Sequence, residues 1–276
     1  MQNRSCLAWS GLARPVSPIR CGCIWFVHIG KTGGTTVERH MEQAAKANGW
    51  AYERMFGRPV SLWNTSLGWR RVVAEMRKPR PSIAFVSQHH GAPGLGGSDD
   101  MLRSTILPMR RALEAKGCRL VLATVLREPV ERTISSLFFN NIGRRQLPSW
   151  AASEGSNYQT KYLVGGWRLA TAQSRKRPSR VPLASASAML SHFDLVGRTE
   201  AMSAVLQAMD RITGVEGGHG AATPQLNRGR TRRYSLTPSE VRLLHNHTWA
   251  DASLYYRFCQ CGAHACRGMF DIERDF

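Results

Sequence analysis

The stretch C-I-W-F-V-H-I-G-K-T-G-G-T-T-V-E-R-H-M, residues 23–41, narrows the possible folds more than any other part of the chain. Ile24, Trp25, Phe26, Val27 and Ile29 make a nearly unbroken apolar run rich in β-branched and aromatic side chains, the pattern of a strand buried on both faces. The strand should stop at Gly30. Gly33 and Gly34 permit backbone angles closed to other residues, so the chain can turn sharply and bring its N–H groups close to a ligand. Thr35 then reads as an N-cap with Glu38 as its capping-box partner, and residues 37–46 read as the helix. A helix N-terminus offers free N–H donors and the positive end of a dipole, and Lys31 adds a full charge beside it. The stretch therefore predicts a site for phosphate or sulfate. Taken alone it also fits a plain strand-to-helix turn with a solvated lysine. A Walker A loop needs glycine five positions before the glycine of G-K-T, where Trp25 stands, so an ordinary ATP or GTP loop is not expected.

Charge says what kind of partner to look for. The 276 residues carry Lys plus Arg 38 against Asp plus Glu 19, a formal charge of +19. That excess favours anionic partners: nucleic acid, an acidic membrane surface, a nucleotide or an acidic polysaccharide. The length suits one sizeable core, with residues 1–22 as a flexible basic segment and 23–276 as a single domain. No run of 18 apolar residues occurs, so no membrane span is expected, and the first twenty residues lack the apolar core of a signal peptide. Seven cysteines cannot all pair within the chain. The C-terminal C-Q-C-G-A-H-A-C, around His264, is tighter than the usual zinc spacings, and disulfides or free thiols are expected there.

Strand and helix signals alternate along the rest of the chain, predicting an α/β, P-loop-like three-layer fold with a central, mainly parallel sheet flanked by helices. Residues 50–65 read as a packed loop. Trp69, Val72, Val73 and Met76 recur at helical spacing before Pro79 and Pro81. Residues 83–86 read as a strand running into S-Q-H-H-G-A-P-G-L-G-G, which holds His89 and His90 at the edge where ligands sit in open α/β sheets. A helical pattern broken at Pro108 precedes a strand at 120–126, which ends in L-R-E-P-V-E-R-T-I-S-S-L-F-F-N. Pro129 suits a first helical turn, and Val130, Ile134, Leu137 and Phe138 read as its buried stripe. Arg127 sits at this second strand-to-helix turn, able to grip a phosphate with two parallel hydrogen bonds, while Ser135 offers a hydroxyl two turns on. Arg127 fits equally a surface ion pair with Glu128 or Glu131.

Residues 157–166 read as a short helix with a glycine stop, 168–180 as a basic loop, 193–196 as a fifth apolar segment and a strand, and 198–212 as a helix. Residues 214–233 read as a Gly- and Arg-rich mobile stretch. T-P-S-E at 237–240 is a capping box opening a helix through His247, followed by a second amphipathic segment at 254–259.

Together these pieces resemble the carbohydrate sulfotransferases that use 3′-phosphoadenosine 5′-phosphosulfate (PAPS), especially the heparan sulfate 2-O- and 6-O-sulfotransferases and uronyl sulfotransferases. V-H-I-G-K-T-G-G-T-T is similar to that family's 5′-phosphosulfate loop, and L-R-E-P-V-E-R-T-I-S-S to its 3′-phosphate motif. Lesser similarities are the Q-H-H loop, N-Y-Q-T-K-Y-L, F-D-L-V-G-R-T-E and D-A-S-L-Y-Y, spanning residues 23–258.

The resemblance implies that Lys31, Thr32, Gly33, Gly34, Thr35 and Thr36 cradle the 5′-phosphosulfate and that Arg127 and Ser135 hold the 3′-phosphate. It also implies that His89, or else His90, is the base that activates an acceptor hydroxyl, although the family commonly has glycine where Gln88 stands. Lys31 would neutralise charge on the leaving group, with no metal required. The expected acceptor is an acidic glycan or other carbohydrate, the expected workplace the Golgi lumen. The basic clusters at Arg144 and Arg145, 175–177 and 228–233 are candidates to bind that glycan, or are solvated charge runs. Two rival classes remain: a kinase or NTPase, which should show a complete phosphate loop and a Mg²⁺-binding aspartate, and a nucleic-acid-binding module, for which no recognition motif stands out.

Overall fold

The computed structural model describes residues 18–56, 67–89, 102–153, 155–172, 181–215 and 236–259. Five strands, β1 (Gly22–His28), β2 (Ala51–Phe56), β3 (Ile83–His89), β4 (Arg119–Leu126) and β5 (Leu195–Arg198), form one sheet in the order β2-β3-β1-β4-β5. Every neighbouring pair is parallel. The helices among the described residues are α1 (Gly34–Asn48), α2 (Leu67–Arg77), α3 (Leu107–Glu114), α4 (Pro129–Phe139), α5 (Leu147–Ala152), α6 (Tyr158–Ala172), α7 (Leu183–Leu190), α8 (Met202–Thr213) and α9 (Pro238–Cys259). This is the expected α/β three-layer arrangement.

Pleating explains why the apolar runs are unbroken. Successive residues of a strand point to opposite faces. Cys23, Trp25 and Val27 of β1 join Ala84 and Val86 of β3 and Leu120 and Leu122 of β4 on one face, against Trp69, Val72, Leu113, Tyr158, Leu163 and Leu254 from the helices. Ile24 and Phe26 join Phe85, Val121 and Ala123 on the other, against Val37 and Met41 of α1 and Val205 and Met209 of α8. Burying such a side chain contributes roughly 1.5–3 kcal/mol, and a strand covered on both faces gains it at every position.

The connections decide where a ligand can sit. After β1 the chain turns into α1 on one face, whereas between β4 and β5 it runs through α4 and α5 to α6 and α7, which pack on the other. A crevice must open where consecutive crossovers diverge, at the C-terminal ends of β1 and β4.

Several expectations are corrected. Residues 51–56, taken with the loop at 50–65, form the edge strand β2; its pattern A-Y-E-R-M-F mixes charge into an edge, as edges do. Helix α1 starts at Gly34 with Gly33 as its cap, so Thr35 is not the N-cap and Glu38 belongs to a different contact. Helix α6 runs through Gly165 and Gly166, because a glycine costs only about 1 kcal/mol and packing on the sheet overrides it. In α4 the stripe holds for Val130, Ile134 and Leu137, which pack in one cluster with Leu147 and Trp150, but Phe138 is exposed, and Arg132, Thr133 and Ser136 are buried as well. Helices α5 and α7, six and eight residues long, carry no pattern long enough to read. The segments read at 237–259 form one element with a break at Thr248, and the Thr237–Glu240 capping box is made as written.

Residues 18–22, assigned to the flexible segment, are held: the Ile19 amide donates to the Ile212 carbonyl, and Cys21 is bonded to Cys118. Cys23 is a buried free thiol. His90, the basic clusters at 175–177 and 228–233, and C-Q-C-G-A-H-A-C beyond the Cys259 backbone lie outside the described residues. No helix among the described residues is long and apolar enough to cross a membrane.

Candidate anion-binding site

The chain leaves β1 through Gly30, Lys31, Thr32 and Gly33. Lys31 has φ 69° and Gly33 φ 83°, two left-handed residues around a buried Thr32. Lysine in that region is strained, and such strain persists only where its surroundings enforce it. Here the Thr32 hydroxyl donates to the Ile29 carbonyl at 2.9 Å, and the Thr199 hydroxyl from beyond β5 donates to the Thr32 carbonyl at 2.6 Å. Left-handed residues in a turn are what backbone anion nests are built from. Gly33 supplies no side-chain acceptor, so the first-turn donors of α1 are left uncapped by any side chain. At Gly34 the His28 ring lies against the Cα, and a methyl group would fall well inside van der Waals distance of it. Thr35 is half-buried and Thr36 buried in the first turn.

Three cations surround this loop. The Arg127 guanidinium donates from Nη1 to the Lys31 carbonyl at 3.4 Å. Its other contact is Glu131 at 3.6 Å, a long pair with an exposed carboxylate, so the ion pair weighed for Arg127 is present and weak. Arg132 is fully buried; its Nε donates to the Gly30 carbonyl at 3.3 Å and its guanidinium lies 3.5 Å from the Tyr158 ring centre. Its Nη1 has no hydrogen-bond partner among the described residues. Lys31 Nζ sits 4.0 Å above the exposed Phe139 ring. Burial, then the charges of Arg127 and Arg132, holds the Lys31 ammonium below its ordinary pKa. Three like charges around the loop are relieved most directly by an anion.

The two turns singled out in the sequence are thus brought together. Ser135 is half-buried on α4. It lies three residues after Arg132 and four before Phe139, both of which touch the loop, so helical spacing puts it on the loop-facing side. His89 is the last residue of β3, buried, and paired in register with His28. Their ring centroids are 3.9 Å apart. Gln88, on the opposite pleat, accepts from Trp25 Nε1 at 3.1 Å, a contact that glycine could not make.

Sequence reasoning missed the residues that hold Arg127 in place. Gln159 accepts from the Arg127 amide at 3.0 Å and donates to its carbonyl at 2.9 Å. Asp251 in turn accepts from the Gln159 and Thr160 amides at the start of α6, while Asn157 accepts from the Ala250 and Asp251 amides where α9 restarts. The signal was there, since N-Y-Q-T and D-A-S are the lesser motifs noted above; reciprocal capping is what they do. Arg132 likewise lies inside L-R-E-P-V-E-R. Arg144, a glycan candidate, is already engaged by both Glu240 oxygens. Among the described residues no group of three His, Cys, Asp or Glu could hold a metal ion.

Comparison of the chain with protein-family models gives no match, and comparison with curated proteins gives none.

Proposed function

We propose that the chain is a PAPS-dependent sulfotransferase acting on a hydroxyl of a carbohydrate, with an acidic polysaccharide the acceptor that its net charge of +19 suits best. One observation supports the reading: Arg127 hydrogen-bonds the Lys31 carbonyl, so the two cation-bearing turns lie side by side, as a site for both ends of a doubly phosphorylated adenosine requires. The donors of Gly33, Gly34, Thr35 and Thr36, with Lys31, take the 5′-phosphosulfate; Arg127 and Ser135 take the 3′-phosphate.

In the reaction, the acceptor hydroxyl attacks sulfur in line, its proton passes to His89, and the sulfur–oxygen bond to the 5′-phosphate breaks to release adenosine 3′,5′-diphosphate. Catalysis of this kind rests on positioning and on stabilising charge at the departing oxygen, the part assigned to Lys31. The Cys21–Cys118 disulfide supports an oxidising, lumenal workplace such as the Golgi.

A thermal-shift titration tests the site. Adenosine 3′,5′-diphosphate should raise the melting temperature at concentrations where ATP and an oligonucleotide do not. Preference for ATP, or no nucleotide response, would count against the reading. A sulfate-transfer screen over uronate and hexosamine polymers then finds the acceptor.

A further inference from the structure

Beneath the phosphate loop lies a buried polar cluster to which the reaction above gives no role. The pleat turns Ile24, Phe26 and His28 of β1, and Phe85, Ser87 and His89 of β3, toward α1. Glu38 comes down from α1 to meet them. One carboxylate oxygen lies 3.0 Å from His28 Nδ1 and accepts the Ser87 hydroxyl at 2.5 Å, while the other lies 3.0 Å from Arg54 Nη2 of β2. His28, Ser87 and Glu38 are buried; Arg54 is half-exposed. Tyr52 of β2 is a further titratable neighbour of Glu38, and the His89 ring centre lies 3.9 Å from that of His28.

The hydrogen can be placed from these contacts. Burial pushes the Glu38 carboxyl up, but the His28 and Ser87 hydrogen bonds and the Arg54 charge outweigh it and hold the group below the ordinary carboxylate range. A carboxylate can only accept, so His28 Nδ1 carries the hydrogen and the ring orientation is fixed. That fixed ring packs on His89. Burying a carboxylate is costly where an apolar residue would fill the same space.

We propose that Glu38 and His28 are a positioning pair for His89: Glu38 locks the His28 ring, and the locked ring sets the orientation in which His89 meets the acceptor hydroxyl. The proposal rests on the assignment of His89 as base. It is distinct from a second role open to the same residues, because the His28 ring also abuts Gly34 and could simply prop the phosphate loop.

The test is steady-state transfer by the full chain, with adenosine 3′,5′-diphosphate affinity measured in parallel. His28→Asn keeps a donor toward Glu38 but removes the ring against His89. It should lower kcat about 10- to 100-fold, as misplacement of a reacting group does, with nucleotide affinity unchanged. Glu38→Leu should do the same, and Glu38→Gln, which keeps the acceptor, should restore most of the turnover. Because Glu38→Leu could misfold, long-range ¹H–¹⁵N correlation on the wild-type protein gives a second readout: His28 should be protonated at Nδ1. Unchanged kcat, loss of nucleotide affinity in step with kcat, or a His28 bare at Nδ1 would each overturn the proposal. A wild-type chain that neither binds the nucleotide nor transfers sulfate would instead overturn the functional reading on which the proposal stands.

Discussion

Replacing both Cys21 and Cys118 by alanine should destabilise the protein without touching the candidate site. The two residues are 97 apart in sequence, with Cα atoms 5.0 Å apart, so the bridge closes most of the chain from β1 to β4 into one loop. For a loop of about 100 residues the chain-entropy model gives about 4.7 kcal/mol, and measured disulfides more often give ~2–4 kcal/mol. At ~2–4 °C per kcal/mol for a protein of this size, the double variant should melt roughly 5–15 °C below the wild type. Removing both partners avoids leaving a lone thiol, and Cys23 will not substitute, because burial pushes its thiol up to about 12 and keeps it protonated and inert. The bond lies at the N-terminal end of β1, seven residues before His28, and a strand rises about 3.3 Å per residue, so it is roughly 23 Å from the loop that follows. Nucleotide affinity should therefore stay put while stability falls. Calorimetry of the two proteins in non-reducing buffer, with nucleotide titration of each, makes the measurement. Melting temperatures within about 2 °C of each other, less than ~1 kcal/mol would produce, would refute the entropic argument.

Other perturbations act on the site itself. Lys31→Ala should lower kcat about 10²- to 10³-fold at saturating donor, the usual loss when one donor to a developing charge is removed, and near-full turnover would remove lysine from the mechanism. Arg127→Ala should instead weaken adenosine 3′,5′-diphosphate about 10- to 100-fold, from a charged hydrogen bond worth ~1.5–3 kcal/mol, as read by titration calorimetry. Gly34→Ala should abolish the nucleotide-induced thermal shift, since its methyl collides with the His28 ring and the start of α1 must move. Nucleotide affinity should be full while Lys31 is protonated and decline as pH rises through its lowered pKa, below the ordinary 10.5; calorimetry in buffers of different ionisation enthalpy should show proton uptake on binding in that window. The same depression makes Lys31 a small cost to folding at neutral pH that fades as pH rises.

What the sequence disclosed and what it hid have separate physical causes. β1, β3 and β4 were legible because strands covered on both faces must be apolar throughout, a requirement no loop shares. The edge strand β2 escaped because one side of it is free to carry Glu53 and Arg54. Lys31 and Arg127 were legible as cations at strand-to-helix turns, where local sequence determines local geometry. Glu38 was misread for the same reason: T-x-x-E is a local capping signal, but the carboxylate is drawn inward by His28, Ser87 and Arg54, three partners from other strands. Gln159, Asp251 and Asn157 stood in motifs noted only for their resemblance, and their role was hidden because each acts on backbone about 30 to 90 residues away.

Arg132 offers a way to tell whether the cations are present for a ligand or for the fold. It is fully buried, has an unbranched stem as methionine does, and is bonded to the protein mainly through the Gly30 carbonyl and the Tyr158 ring. Losing that bond to a charged donor would cost ~1.5–3 kcal/mol, yet replacing a buried charge by an apolar side chain of similar volume often recovers ~1–4 kcal/mol. Asp251, the buried acid nearest in charge, keeps the Gln159 and Thr160 amides when Arg132 is gone. The two terms are of opposite sign and similar size, so Arg132→Met should leave the stability of the ligand-free protein within about 2 kcal/mol of wild type. An anion in the loop faces no such compensation: it loses one of three cations in a buried setting, and adenosine 3′,5′-diphosphate should bind at least about tenfold more weakly. Chemical denaturation alongside nucleotide titration separates the cases. A variant that loses ~4 kcal/mol or more of stability while binding nucleotide as well as before would show that Arg132 serves the fold, and that the charge around the loop is not organised for an anion.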